Sequence, residues 1–143
     1  MKIVFCIPST TKNRDNNNKT LEIITSLSKI RNYKDKPDIY IGYDIDDPIY
    51  IQKEKRDNIY PELNIKWYSQ EVEKGNVVKI WNNLTKQAVK DGYEYIMLIG
   101  DDIIYPDSEG WINKFCEGLN ENNMYGISSG DSGNPYLPMT QFM

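Results

Sequence analysis

Residues 95–105 read YIMLIGDDIIY: five apolar residues, a glycine, and then two adjacent aspartates. Such a short, apolar run predicts a buried β-strand. The aspartates follow where the strand ends, and in an α/β fold that edge of the sheet is where ligands bind. Because Mg²⁺ and Mn²⁺ prefer oxygen ligands, the paired carboxylates form a candidate site for a divalent cation.

The same order of strand and polar loop occurs twice upstream. Residues 2–7 and 38–43 are apolar and β-branched and predict two further strands. A polar segment follows the first strand, and the acidic turn at residues 44–48 follows the second. Each of these strands therefore delivers polar side chains to its carboxyl end.

A helix is predicted for residues 76–91, which precede the strand quoted above. Its apolar residues recur at helical spacing, and Gly92 is placed to end it. These residues are Val77, Ile80, Trp81, Leu84 and Ala88. We expect this stripe to pack on the sheet.

The remaining segments complete an alternation of strands and helices. Helices are expected at residues 20–32, with Thr20 as the cap, at 49–57 and at 111–119; strands are expected at 64–68 and 124–128. Alternating elements predict a three-layer α/β/α fold with a mostly parallel central sheet. At 143 residues the chain fits a single domain, residues 1–143.

The amino-acid composition argues against several classes of partner and active site. A net charge of -4 argues against a nucleic-acid partner, because phosphate binding needs a clustered basic surface. The absence of histidine excludes Ser-His-Asp, Cys-His and His-metal sites. Two cysteines without CxxC spacing, no leader, and no integral membrane segment predict a soluble protein of the cytoplasm.

Three polar loops are expected at one edge of the sheet, at residues 8–14, 44–47 and 100–102. They bring together hydroxyls, a basic residue and five carboxylates. Each acidic cluster alone is also typical of an ordinary turn. Their meeting at one edge favours a ligand site, and a metal-bound diphosphate would balance the charge.

The order of these motifs resembles the GT-A-fold glycosyltransferases, in particular the nucleotide-diphospho-sugar transferases related to the large family 2 group. The matching motifs are Pro8-Ser9-Thr10, Asp44, the segment 75–82, and Gly100-Asp101-Asp102, within residues 1–135. The resemblance implies a Rossmann-like fold and Mn²⁺ or Mg²⁺ as cofactor. It also implies transfer of a sugar from a nucleoside-diphosphate sugar, a UDP-sugar, to a hydroxyl of a glycan or other acceptor.

The resemblance also assigns residues to roles. The family's DxD motif corresponds to Gly100-Asp101-Asp102, which makes Asp102 the metal ligand and Asp101 a ribose or further metal contact. Asp131 is the candidate catalytic base for an inverting reaction. The nucleotide-sugar-binding set is Pro8, Ser9, Thr10, Arg14, Asp44, Lys79, Asn82 and Asp101.

Family members usually continue with acceptor-binding elements. We therefore expect the acceptor-binding part here to be short or missing, and a partner chain or a further C-terminal segment to complete that site. Two alternatives stay open. One is a noncatalytic nucleotide or nucleotide-sugar binding module, either a degenerate transferase or a regulatory subunit. The other is a nucleotidyltransferase, although the loop at residues 8–14 lacks the glycine that such an enzyme uses in its phosphate-binding loop.

Overall fold

The computed structural model describes residues 2–12, 21–73, 75–120, 128–129 and 141–142. Its strands are β1 (Ile3–Pro8), β2 (Asp38–Asp44), β3 (Ile65–Gln70), β4 (Tyr95–Leu98), β5 (Ser128–Ser129) and β6 (Gln141–Phe142). Its helices are α1 (Leu21–Leu27), α2 (Lys53–Asp57), α3 (Val77–Lys90) and α4 (Gly110–Asn120), with a 3-10 turn at Ile30–Asn32.

The strands form one sheet in the order β3-β2-β1-β4-β6-β5. Strands β1 to β4 run parallel to one another, whereas β6 runs antiparallel to both β4 and β5. The sheet is thus mostly parallel, as predicted. Because parallel strands end on the same side, the loops after β1, β2, β3 and β4 all meet at one edge.

Side chains of β1 alternate between the two faces of the sheet. Val4 and Cys6 pack with Ile80, Leu84 and Ala88, which are the buried residues of α3. Phe5 and Ile7 point the other way, as the two-residue period of a strand requires.

The second face is covered by α1 and α4. Ile23 and Leu27 of α1, together with Ile112 and Cys116 of α4, belong to the same buried cluster as Phe5. Helices therefore cover both faces of the sheet, which confirms the predicted three-layer α/β/α architecture.

The approach of α3 to β2 depends on Gly42. A Cβ atom on Gly42 would overlap Cγ2 of Ile80 and would lie 3.3 Å from Cδ1 of Leu84. Glycine is the residue that lets the helix and the strand come this close.

Several element boundaries differ from the sequence prediction, and the helix expected at residues 20–32 is divided into α1, which ends at Leu27, and the 3-10 turn at Ile30–Asn32. The helix expected at residues 49–57 begins only at Lys53, because the Asp47 carboxylate accepts the amides of Ile49 and Tyr50 and holds that segment in a turn. Strand β3 starts one residue later than predicted and extends to Gln70. Thr20 and residues 124–127 lie outside the described residues.

Asp47 also joins the loops that follow β1 and β2. Its side chain is fully buried, and one carboxylate oxygen accepts the backbone amide of Thr11 at 2.6 Å while the other accepts the Thr11 hydroxyl at 2.6 Å. The same carboxylate accepts the amide of Tyr50 at 2.9 Å. One acid thus fixes two segments that meet at the carboxyl edge of the sheet.

This hydrogen bonding sets the protonation of Asp47. Burial acts to raise its pKa, but the hydrogen bonds from Thr11, Tyr50 and Ile49 outweigh burial and leave the pKa below the ordinary value. The carboxylate is therefore ionised at neutral pH.

Within the described part of the chain, no helix combines the length and the apolarity that a bilayer crossing requires.

Replacing Gly42 with alanine should lower the free energy of unfolding by about 1–3 kcal/mol, because the added methyl group collides with Ile80. Urea denaturation measures this loss. In Gly110→Ala, the matched control, the new Cβ meets nothing within 4 Å and stability should not fall. If the collision is the cause, the loss in Gly42→Ala/Ile80→Ala will be smaller than the sum of the two single losses.

Asp47→Asn should lower the free energy of unfolding at pH 7 by about 2–4 kcal/mol, because an amide nitrogen cannot accept the hydrogen bonds that the carboxylate takes. The stabilisation from a carboxylate of depressed pKa is fully present above the pKa of an unfolded aspartate, about 3.9. It is lost as the pH falls through the lower pKa of the folded protein.

The difference between wild type and Asp47→Asn should therefore shrink as the pH falls below about 4. Denaturation curves recorded from pH 7 to pH 2 measure it, with the exposed Asp35→Asn as control. A difference that stays constant over this range would contradict the assignment.

Candidate functional site

A cavity of about 820 Å³ opens at the carboxyl edge of the sheet. Its walls come from the loop after β1, the loop after β2, the segment after β3, the first turns of α3, and residues 100–101 after β4. Small-molecule sites have volumes of roughly 300–1,000 Å³, so this cavity is large enough for a ligand of nucleotide size.

The wall nearest β4 is held by a buried contact between loops. The Ser9 hydroxyl donates to Oδ2 of Asp101 at 2.8 Å, and the same hydroxyl oxygen lies 2.9 Å from the hydroxyl of Tyr50. Ser9 and Asp101 both line the cavity. The first acid of the aspartate pair therefore belongs to the cavity wall and is tied to the loop after β1.

The opposite wall carries a lysine between two carboxylates. The Lys12 ammonium lies 3.7 Å from Oδ2 of Asp44 and donates a hydrogen bond to Asp46. That hydrogen bond raises the pKa of Lys12 and lowers the pKa of Asp46, so both groups stay charged at neutral pH.

The first turns of α3 form a further wall of the cavity, next to β1 and β4. Asn76 caps the helix by accepting the amide of Lys79 at 3.2 Å. The indole N–H of Trp81 is shared between the carbonyls of Cys6, at 3.2 Å, and Ile99, at 3.3 Å. Trp81 thus fastens the helix to β1 and to the segment after β4, and it also lines the cavity.

The cavity is acidic. Among its described lining residues, the only ammonium group is that of Lys12, against the five carboxylates of Asp44, Asp46, Glu71, Glu73 and Asp101. An anionic ligand would enter this field only with a compensating cation.

The second acid of the pair, Asp102, is exposed. Its Oδ1 atom lies 2.9 Å from the position that a Cβ on Gly100 would occupy, so its carboxylate folds back over this glycine. Within the described segments, no three Asp, Glu, Cys or His side chains converge closely enough to hold a metal ion by themselves. Mg²⁺ is commonly held by one or two carboxylates plus substrate phosphates, and Asp101 and Asp102 fit that smaller donor set.

The cavity brings together five of the residues assigned from the sequence. Those that line the cavity are Pro8, Ser9, Thr10, Asp44 and Asp101. Lys79 and Asn82 are exposed on α3 and do not line it. Arg14 and Asp131 lie outside the described residues.

Sequence reasoning did not identify Lys12 or Trp81 as lining residues. Lys12 lies two residues beyond the Pro8-Ser9-Thr10 motif, and this position was the available signal. Trp81 belongs to the apolar stripe of α3 and was expected in the core. It lines the cavity because the first turns of the helix lie at the sheet edge.

No protein-family model and no curated protein sequence matches this chain. Solved structures of S. aureus TarS do match it. Residues 1–349 of TarS with UDP-GlcNAc give a TM-score of 0.60 at 16% identity over 86% of this chain, and with UDP a TM-score of 0.59 at 18% identity over 86%. A structure of S. aureus TarS gives a TM-score of 0.61 at 16% identity over 97% of this chain.

The chain spans only part of the proteins it resembles: 32% of TarS 1–349 in the UDP-GlcNAc complex, 33% in the UDP complex, and 23% of the longer TarS chain. At these identities the likeness is one of fold. The chain has a Rossmann-like α/β fold, which it shares with the TarS structures.

Proposed function

We propose that the chain is the nucleotide-sugar-binding part of a glycosyltransferase of the GT-A type, related to family 2. It moves a sugar from a UDP-sugar to a hydroxyl of a glycan or other acceptor. The observation that carries the proposal is the cavity at the carboxyl edge, which gathers Pro8, Ser9, Thr10, Asp44 and Asp101 in one place. The TarS structures of similar fold include complexes with UDP-GlcNAc and UDP, which supports the same ligand class here.

The base and ribose are proposed to bind beside Asp44. Its carboxylate accepts hydrogen bonds from the imino group of the base or from ribose hydroxyls. Lys12 lies 3.7 Å from this carboxylate and forms an ion pair with it. Buried Asp47 holds the loops that carry both residues.

The diphosphate is proposed to lie between the start of α3 and the aspartate pair. Gly75, Asn76 and Val77 line the cavity at the N-terminus of a 14-residue helix, where the helix dipole favours negative charge. Asp101 and Asp102 would hold Mn²⁺ or Mg²⁺ at this end. When bound, the ion neutralises negative charge on the leaving diphosphate.

An inverting transfer needs a carboxylate that takes the proton of the acceptor hydroxyl, and Asp131 remains the prediction for that role. A further segment or a partner chain is proposed to complete the acceptor site, since the chain spans about a third of the TarS 1–349 chain.

UDP and UDP-GlcNAc with Mn²⁺ should raise the melting temperature of the wild-type chain by several degrees. A ligand at one hundred times its Kd adds about 2.7 kcal/mol to the stability of the folded state. Mn²⁺ alone and ADP with Mn²⁺ are the controls. If no nucleoside diphosphate or nucleotide sugar shifts the melting temperature, the proposed function is wrong.

Calorimetric titration of Asp44→Asn should show binding of UDP with Mn²⁺ weakened by about tenfold, because the variant loses a charged acceptor of hydrogen bonds. The exposed Asp35→Asn is the matched control and should bind like wild type. Unchanged binding in Asp44→Asn would remove this residue from the site.

Gly100→Ala should weaken the metal-assisted binding of UDP without destabilising the folded protein. The new methyl group meets only the flexible end of Asp102, so the carboxylate is displaced at little cost in stability. UDP binding should lose most of its Mn²⁺ dependence, as in Asp102→Asn, while the melting temperature of the free protein stays within about 2 °C of wild type. Gly110→Ala is the control, and full Mn²⁺ dependence in Gly100→Ala would contradict the role given to Asp102.

A further inference from the structure

Three buried polar side chains form a hydrogen-bonded chain. It begins at Tyr50, behind the cavity wall, and continues through Ser9 to Asp101, both of which line the cavity. The hydroxyls of Tyr50 and Ser9 are 2.9 Å apart, and the Ser9 hydroxyl lies 2.8 Å from Oδ2 of Asp101. The three residues are 1%, 6% and 5% exposed, respectively. Water therefore has little access to the atoms that form this chain.

The donor in each hydrogen bond of this series follows from the number of hydrogen atoms that the hydroxyls carry. A serine hydroxyl carries one hydrogen, and Ser9 gives it to the Asp101 carboxylate. In the contact between the two hydroxyls, Tyr50 is therefore the donor and Ser9 the acceptor. Consecutive hydrogen bonds of this kind polarise and strengthen each other, so the tyrosine supports the bond that Ser9 makes to Asp101.

Tyr50 is held rigidly at both its backbone and its ring. Its amide donates to the buried carboxylate of Asp47 at 2.9 Å. Its ring packs at 5.1 Å from the ring of Trp67 and at 6.1 Å from that of Tyr43. The hydroxyl thus has a fixed position from which it can orient Ser9.

Tyr50 does not line the cavity, whereas Ser9 and Asp101 do. We infer that Tyr50 is a positioning residue of the nucleotide-sugar site: its hydroxyl orients Ser9, and Ser9 orients the Asp101 carboxylate toward the ligand. This inference rests on the proposed function.

A purely structural role for Tyr50 predicts different behaviour. In that case, loss of the hydroxyl would lower stability and leave the affinity of the folded protein unchanged. The free-energy changes caused by loss of this hydroxyl and by a change at Ser9 would also be additive. A positioning role predicts weaker binding at temperatures where the protein is fully folded, and an effect that exists only while the Ser9 hydroxyl is present.

The test is calorimetric titration of UDP with Mn²⁺, well below the melting temperatures of all variants. Tyr50→Phe removes the hydroxyl and keeps the ring. Tyr33→Phe is the matched control, since Tyr33 is also 1% exposed and its hydroxyl donates to the carbonyl of Pro106 at 2.6 Å, outside the cavity lining. Ser9→Ala, Ser9→Thr and the double variant Ser9→Ala/Tyr50→Phe complete the set.

Tyr50→Phe should weaken UDP binding roughly fivefold, as expected for the loss of one supporting hydrogen bond. Tyr33→Phe should lower the melting temperature without changing the affinity. Ser9→Thr, which keeps a hydroxyl, should bind more tightly than Ser9→Ala. The double variant should bind no more weakly than Ser9→Ala alone.

Wild-type affinity in Tyr50→Phe would overturn the inference and leave the proposed function intact. So would full additivity in the double variant. If Tyr50→Phe does not fold, the comparison of Ser9→Ala with Ser9→Thr decides, and equal binding of those two variants overturns the inference. Absence of UDP binding to the wild type refutes the proposed function and the inference with it.

Discussion

The arrangement of the site depends on the buried carboxylate of Asp47. An ionised group without access to water is tolerated only when nearby donors replace the water, and here the donors come from the loop after β1 and from the turn after β2. Neither segment can move away without leaving the charge unsatisfied. The loops that bear Ser9, Thr10, Lys12 and Asp44 are therefore fixed before any ligand arrives.

The carboxylates at this edge divide into two kinds. Asp47 is buried, and its hydrogen bonds come from amides and a hydroxyl of the protein itself, whereas Asp101 is buried against the Ser9 hydroxyl but also lines the cavity. Asp44 and Asp46 share Lys12, and Asp102 reaches solvent. A row of acids that looks uniform in the sequence thus contains both structural anchors and groups that remain able to meet a ligand or a cation.

The sequence predicts the elements and the layers well because burial determines both. Ile80, Leu84 and Ala88 recur at helical spacing and are buried, and the apolar run before Gly100 forms β4. The carboxyl-edge position of Ser9, Asp44 and Asp101 follows from parallel strand order.

Other features depend on tertiary contacts that no local pattern encodes. The late start of α2 results from capture of two amides by Asp47, which competes with helix formation. The stripe of α3 includes Val77 and Trp81, but the helix begins at the sheet edge, so these two residues contact the cavity. The link from Tyr50 to Asp101 joins residues that are far apart in sequence, and only the folded chain reveals it.

The pairing of β4 affects the rate at which the sheet can form. This strand is bordered on one side by β1, the first of the described strands, and on the other by β6, the last of them. Both pairings join distant parts of the sequence, and contacts of that kind form slowly because long loops must close first. The position of the aspartates that follow β4 thus depends on two pairings that both require the closure of long loops.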